Sequence, residues 1–313
     1  MTEETRLLVC DGTNLYWRAY HGLARQAFEK DGQPTFAVYG TVNSIATACR
    51  SYRPTHLVVV FDWGKSAYRL GIWPKYKLGR PGPESEIMDY SDAESQLNTA
   101  QELLVKFGVQ TYREFEVEAD DIIATVVDKF KSQVSKVIIM TGDKDMRQLI
   151  DANVVVEHPS LGQKPGTTWD IKKVVDHYGV GPSRLPEIWA LCGDKIDNIP
   201  GVRGIGEKTA IKFIEKYGDL QGVTLSDEKK IEGFRHDINM SLRLVQANPQ
   251  LSAFALDLDN IIFTPVTPTS PFAEELRTSL NDLGFDSLVS RWSSKTLWAE
   301  RGLRLQDLQS RNK

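Results

Sequence analysis

The sequence predicts an α/β protein: a mainly parallel sheet flanked by helices, continued by a helical domain. Three observations carry that expectation. Three short apolar runs each end in aspartate, at residues 6–11, 56–62 and 136–143. Helix-like stretches lie between them, at residues 38–49, 93–107 and 119–130, and strands alternating with helices imply parallel pairing. From about Asp170 to Asn248 the pattern becomes purely helical.

Taken in order, Leu7-Leu-Val-Cys10 reads as a buried strand that stops at Asp11, and Gly12-Thr-Asn-Leu15 turns into a helix. Leu57-Val-Val-Val-Phe61 repeats the design and stops at Asp62. An arch at about 64–92 follows, carrying Lys65, Tyr68, Arg69, Trp73, Lys75, Tyr76, Lys77 and Arg80 among six prolines and glycines, Gly71, Pro74, Gly79, Pro81, Gly82 and Pro83. Such a segment reads as a mobile loop or short helical arch, and its mixture of rings and cations suits single-stranded nucleic acid.

Glu118-Ala-Asp-Asp121 opens the next helix with three carboxylates in four residues. A helix N-terminus is worth only about 0.3–1 kcal/mol to a negative charge, so their repulsion calls for a divalent metal. The third strand ends in Asp143-Lys-Asp145. Ligands of parallel sheets bind beyond the carboxyl ends of the strands, so Asp11, Asp62 and Asp143 are expected at one edge.

Pro159, Gly162, Pro165 and Gly166 mark a boundary. The expected division is 1–165 for the sheet domain, 166–250 for the helical region, 251–292 for a mixed segment packing back on the core, and 293–313 for a polar tail with Trp298 and Leu303 as anchors.

Composition narrows the chemistry. A net charge of −4 gives no general pull toward nucleic acid, so binding must rest on local basic patches. The cysteines, Cys10, Cys49 and Cys192, are odd in number and far apart, which fits a reducing cytoplasm and argues against a disulfide framework or zinc cluster. No apolar run approaches membrane-spanning length, and the N-terminus lacks a leader pattern. Asp194-Lys-Ile-Asp197 completes an acid inventory of Asp11, Asp62, Glu118, Asp120, Asp121, Asp143, Asp145, Asp194 and Asp197. All-oxygen donors suit magnesium or manganese, and two such ions about 4 Å apart can hydrolyse a phosphodiester by in-line attack.

Pro200-Gly-Val-Arg-Gly-Ile-Gly-Glu-Lys-Thr-Ala210 is a glycine-rich turn between helix-like segments. It fails as a phosphate-binding P-loop, because Glu207 separates Gly206 from Lys208 and the turn follows a helix. It fits a helix-hairpin-helix in which Gly201, Gly204 and Gly206 let backbone N–H groups, with Lys208 and Thr209, grip a DNA backbone. Asp11-Gly-Thr13 lacks the preceding Asp of a haloacid-dehalogenase motif, since Val9 stands there.

These residues resemble a known family, the flap endonucleases and the 5′ nuclease domains of bacterial DNA polymerase I. The motifs are Asp11-Gly-Thr-Asn-Leu with Arg18-Ala-Tyr20, Phe61-Asp62, Tyr68-Arg69, Tyr76-Lys77 with Arg80, Glu116-Val-Glu-Ala-Asp-Asp-Ile122, Thr141-Gly-Asp-Lys-Asp-Met146, the stretch from Gly193 to Ala210, and Leu283-Gly-Phe-Asp-Ser-Leu288. The resemblance spans about residues 6–292 and implies a PIN-like catalytic domain with a two-metal, structure-selective 5′-3′ exonuclease and flap endonuclease activity. It implies that Asp11, Asp62, Glu118, Asp120 and Asp143 hold the first ion, and that Asp121, Asp145, Asp194 and Asp197 hold the second, with Asp121 and Asp143 open to sharing. Lys77 and Arg80 would act on the scissile phosphate, and Arg18, Tyr68 and Arg69 would contact DNA. Carbonyls of Leu191, Cys192, Pro200, Val202 and Ile205 resemble those that hold a potassium ion. The implied partners are DNA with a 5′ flap, overhang or nick, and RNA-DNA primer junctions. A stand-alone, monomeric, cytoplasmic nuclease is expected, in a phage host's cytoplasm if phage-encoded. A non-catalytic junction binder and a PIN-type ribonuclease are the competing classes.

Overall fold

The computed structural model describes residues 4–23, 29–79, 90–159, 166–264 and 266–293. Arg80, the rest of the expected arch through residue 89, and the tail beyond residue 293 lie outside the described residues.

Its strands are β1 (Arg6–Asp11), β2 (Glu29–Lys30), β3 (Gln33–Pro34), β4 (His56–Val60), β5 (Gln110–Tyr112), β6 (Lys136–Met140), β7 (Val154–His158) and β8 (Thr167–Trp169). β2 and β3 form a separate hairpin, and the other six form one sheet in the order β5-β4-β1-β6-β7-β8. Every pairing in that sheet is parallel except β7 with β8.

The pleat sorts side chains onto two faces. Leu7, Val9, Val58, Val60, Val137 and Ile139 enter one core; Leu8, Cys10, Leu57, Val59, Ile138 and Met140 enter the other. Both faces are therefore apolar, as a sheet covered by helices requires.

The helices are α1 (Gly12–Leu23), α2 (Phe36–Tyr52), α3 (Ala67–Ile72), α4 (Tyr90–Lys106), α5 (Ala119–Phe130), α6 (Ile171–Tyr178), α7 (Leu185–Cys192), α8 (Glu207–Tyr217), α9 (Leu220–Leu225), α10 (Lys229–Glu232), α11 (Arg235–Val245), α12 (Ala273–Asp282) and α13 (Asp286–Ser293). α5, α7, α8 and α11 pack into the first core, and α2, α4, α12 and α13 into the second. After α11 the chain returns to the sheet, where Ile262 bridges His56 and the Phe263 N–H donates to the Thr55 carbonyl at 2.9 Å. Among the described residues no helix is long and apolar enough to cross a membrane.

The base of the expected loop or arch is ordered. Ser66 caps α3 by accepting from the Arg69 N–H at 3.2 Å, and a turn over residues 74–79 follows. Five strands, the hairpin strands β2 and β3 and the sheet strands β5, β7 and β8, have no counterpart in the sequence-based expectation.

Candidate active site

β1 lies between β4 and β6, so the three strand ends bring Asp11, Asp62 and Asp143 side by side at the carboxyl edge of the sheet. Small polar neighbours set their orientation. Asp11 accepts from the Thr141 hydroxyl at 2.7 Å and from the Asn14 N–H at 2.9 Å. Asp62 accepts from the Ala119 N–H at 2.8 Å, so the acid ending one strand holds the first turn of the helix that carries the next acids. Asp143 donates its N–H to Thr141 at 3.0 Å and accepts the Asp145 N–H at 2.8 Å. Sequence reasoning missed Thr13, whose hydroxyl accepts the Asp62 N–H at 2.8 Å, together with Asn14 and Thr141, as orienting residues; their signal is their place beside Asp11 and Asp143.

The acids crowd one another. Burial pushes Asp11 up to about 7, with Asp62 and Asp143 adding to it. Burial also raises Asp120 well above the carboxylate range, reinforced by Asp143, Asp11 and Glu118. Asp145 rises to about 7 for the same reasons, burial first and then Asp143, with Asp194 and Asp197 also contributing. Asp62 is raised by burial, against the opposing charge of Lys77.

Glu118 behaves differently. Burial would raise it, yet Lys77 and Arg69 hold it below its ordinary value. Lys77 Nζ donates to Glu118 Oε1 at 2.5 Å, and the Tyr76 hydroxyl donates to Oε2 at 3.0 Å. Lys77 Nζ also lies 4.0 Å from Asp197 Oδ2, so this lysine stands between the sheet acids and the acids of the helical region. Its backbone N–H donates to the Asp197 carbonyl at 2.8 Å, and the Trp73 indole donates to the Asn198 carbonyl at 2.8 Å. The base of the arch is thereby tied to the turn containing Asp194 and Asp197.

Asp194 Oδ1 accepts from the N–H groups of Ile196 and Asp197 at 2.7 and 3.2 Å, and its other oxygen lies 3.4 Å from Lys144 Nζ. Among the described residues no three acids already converge as a ready ligand sphere. Lys77, Lys144, Tyr76 and Thr141 take up the carboxylate oxygens instead. The donor set, carboxylates crowded until burial and mutual repulsion raise Asp11, Asp120 and Asp145, nevertheless fits a hard divalent cation.

Two expected assignments are corrected. Asp121 does not face the second acid group: it is 0% exposed and forms a fork-like pair with Arg69, at 2.5 and 3.0 Å. Arg69 in turn is 2% exposed, which removes it as a DNA contact. The bidentate geometry and the backbone carbonyls around the guanidinium make this burial favourable. Tyr68 is half-buried, its ring 5.7 Å from the Arg243 guanidinium. Arg18 donates to the Pro159 carbonyl at 3.2 Å and lies against Gly142, where a Cβ would come within 2.9 Å of its Nη1.

In the glycine-rich hairpin, Gly201 serves packing: a Cβ there would lie 2.2 Å from the Cys192 carbonyl atoms. Gly204, at φ +79, and Gly206 face open space beside the exposed Lys208 and half-buried Thr209 at the start of α8. The carbonyls of Leu191, Pro200 and Val202 accept from the Val202 N–H, the Ser241 hydroxyl and the Ile205 N–H at 2.9, 2.6 and 3.0 Å. Cys192 lies against Gly201, and Ile205 is buried.

Comparison with known proteins adds to this geometry. Residues 6–179 match the family model described as 5′-3′ exonuclease, N-terminal resolvase-like domain, and residues 180–268 match 5′-3′ exonuclease, C-terminal SAM fold. The 5′-3′ exonuclease of Aquifex aeolicus is 31% identical over 287 residues, covering 90% of this chain and 93% of that protein. DNA polymerase I of Mycobacterium leprae is 34% identical over 238 residues, 76% of this chain but only 25% of that protein. The chain thus spans about a quarter of that polymerase's length. The bacteriophage T5 D15 flap endonuclease, solved as a pseudo-enzyme-product complex with DNA and metal ions, shares the fold at a TM-score of 0.65 and 21% identity, over 93% of this chain and 98% of that one.

Proposed function

Since the chain belongs to the 5′-3′ exonuclease family, we propose that it is a structure-selective 5′-3′ exonuclease and 5′-flap endonuclease that hydrolyses DNA phosphodiesters in replication or repair. The observation that carries this reading is the cluster of buried and half-buried, mutually repelling carboxylates at the carboxyl edge of the sheet, adjoining a glycine hairpin with an open helix N-terminus.

Asp11, Asp62, Glu118, Asp120 and Asp143 would hold one divalent cation, and Asp145, Asp194 and Asp197 the other, with Asp143 shared; magnesium or manganese suits these donors. When bound, the cations lower the pKa of water and neutralise charge on the leaving oxygen. Lys77, paired with Glu118 at 2.5 Å, exchanges that partner for the scissile phosphate and stabilises its developing charge. Arg80, three residues on, is assigned the same role. Exposed N–H groups near Gly204 and Gly206, with Lys208 and Thr209, hold the duplex by its phosphates, independent of sequence. The carbonyls of Leu191, Cys192, Pro200, Val202 and Ile205 would hold a potassium ion, whose charge would favour a phosphate at the hairpin. The substrates are 5′ flaps, overhangs and nicks, including RNA-DNA primer junctions, met by a monomer in a reducing cytoplasm.

Asp143→Asn and Asp194→Asn test the assignment on a 5′-flap duplex. Wild type cuts it in magnesium and not in chelator, both variants lose cleavage, and duplex affinity stays within about threefold. Wild-type rates in either variant would overturn the placement of that acid.

A further inference from the structure

α3 opens the basic segment, yet its Arg69 faces inward. An arginine carries five N–H groups and no acceptor, so its burial is tolerated when each group finds a partner. Here Nε donates to the Leu244 carbonyl at 2.9 Å. Nη2 donates to the Gln246 carbonyl at 2.8 Å and to Asp121 Oδ1 at 3.0 Å. Nη1 donates to Asp121 Oδ2 at 2.5 Å and lies 3.0 Å from Glu118 Oε2. Asp121 Oδ1 also accepts the Asn248 N–H at 2.8 Å. One guanidinium therefore joins the base of the arch, the first turn of α5, and the C-terminal end of α11.

We infer that Arg69 is a positioning residue that fixes the Glu118 carboxylate and locks the arch base and the C-terminal end of α11 onto the acid cluster. The inference rests on the nuclease reading above. Glu118 Oε2 is shared by Arg69 and Tyr76, which leaves Oε1 turned toward Lys77. Asp121 sets the plane of the guanidinium through its two-point contact, a geometry that a lysine cannot reproduce. Four of its N–H groups are hydrogen-bonded and Nη1 also pairs by charge with Glu118, so the buried guanidinium is turned away from any phosphate. A clamp that served packing alone would need Leu244, Gln246 and Asp121; the contact with Glu118 is what ties the clamp to the reaction.

The test uses the full chain. In Arg69→Lys, kcat on a 5′-flap duplex in magnesium falls on the order of 10²-fold, as expected for a misplaced catalytic group. KM and the metal-free Kd stay within about threefold, and the slope of log Kd against log salt is unchanged, where a lost phosphate contact would reduce it by about 0.9. The pair Arg69→Met with Asp121→Asn removes both buried charges and keeps an acceptor for the Asn248 N–H. Its Tm recovers relative to Arg69→Met alone, while kcat stays low because Glu118 has lost its partner. Recovery of kcat together with Tm would reduce Arg69 to a packing role and overturn the inference, and so would a salt slope smaller by one contact. A wild-type chain that binds the flap duplex and cuts it in neither magnesium nor manganese would instead remove the nuclease reading, and the inference with it.

Discussion

Asp11 and Asp145, each pushed up to about 7 by burial and then by neighbouring acids, tie the site to the stability of the molecule. A carboxyl whose folded pKa exceeds its unfolded value of about 4 favours the fold while protonated, and that contribution is lost as pH rises through the folded value. In chelator, Tm should therefore fall between about pH 4 and pH 7. Added magnesium should raise Tm by an amount that grows over the same interval, because its ligands must be deprotonated. Thermal melts across that range, with and without magnesium, check both trends; a magnesium effect independent of pH would separate the ion from these acids. At this scale the sequence exposes residue type and misses direction. Asp121 and Arg69 are a metal-site acid and an arch cation by pattern. Both point inward, because the fork they form and the α11 carbonyls around it lie far off in sequence.

The elements that present these acids were legible where an apolar run ends in aspartate, as in β1, β4 and β6. β7 was not, since Val154-Val-Val-Glu-His158 ends in His, and β8 is a three-residue antiparallel strand too short to leave a period. The hairpin was legible as glycine-rich, but its glycines divide into two kinds. Gly201 admits the backbone of Cys192, so Gly201→Ala must move one backbone away from the other, at a cost of about 1–3 kcal/mol. Gly206 has an extended φ of −101, and no heavy atom lies within 4 Å of the place a Cβ would take there. It should accept Ala within about 1 kcal/mol, the usual range for a helix cap. Melting curves should rank the two variants in that order. If backbone approach to phosphate is the office of Gly206, its variant weakens duplex binding at nearly unchanged Tm.

At the scale of the molecule, the Pro and Gly cluster near residues 157–169 marks a change in pattern, and the packing continues across it. Ile122, Ile123 and Val126 of α5 share one core with Ile188 and Leu191 of α7, Ala210 and Ile214 of α8, and Ile238 and Leu244 of α11. The Arg69 clamp and the hydrogen bonds from the arch base to Asp197 and Asn198 cross the same junction. A rigid shared core would hold the carboxylates of both groups at a fixed separation. Residues 1–179, produced alone, should therefore expose the apolar side of α5 and melt without a cooperative transition. The full chain should unfold in one step, with near- and far-ultraviolet circular dichroism coinciding. A fragment that melts cooperatively within a few degrees of the full chain would mean that the sheet closes its core unaided. The two groups of acids would then be held together by the clamp and the arch contacts, and not by the core.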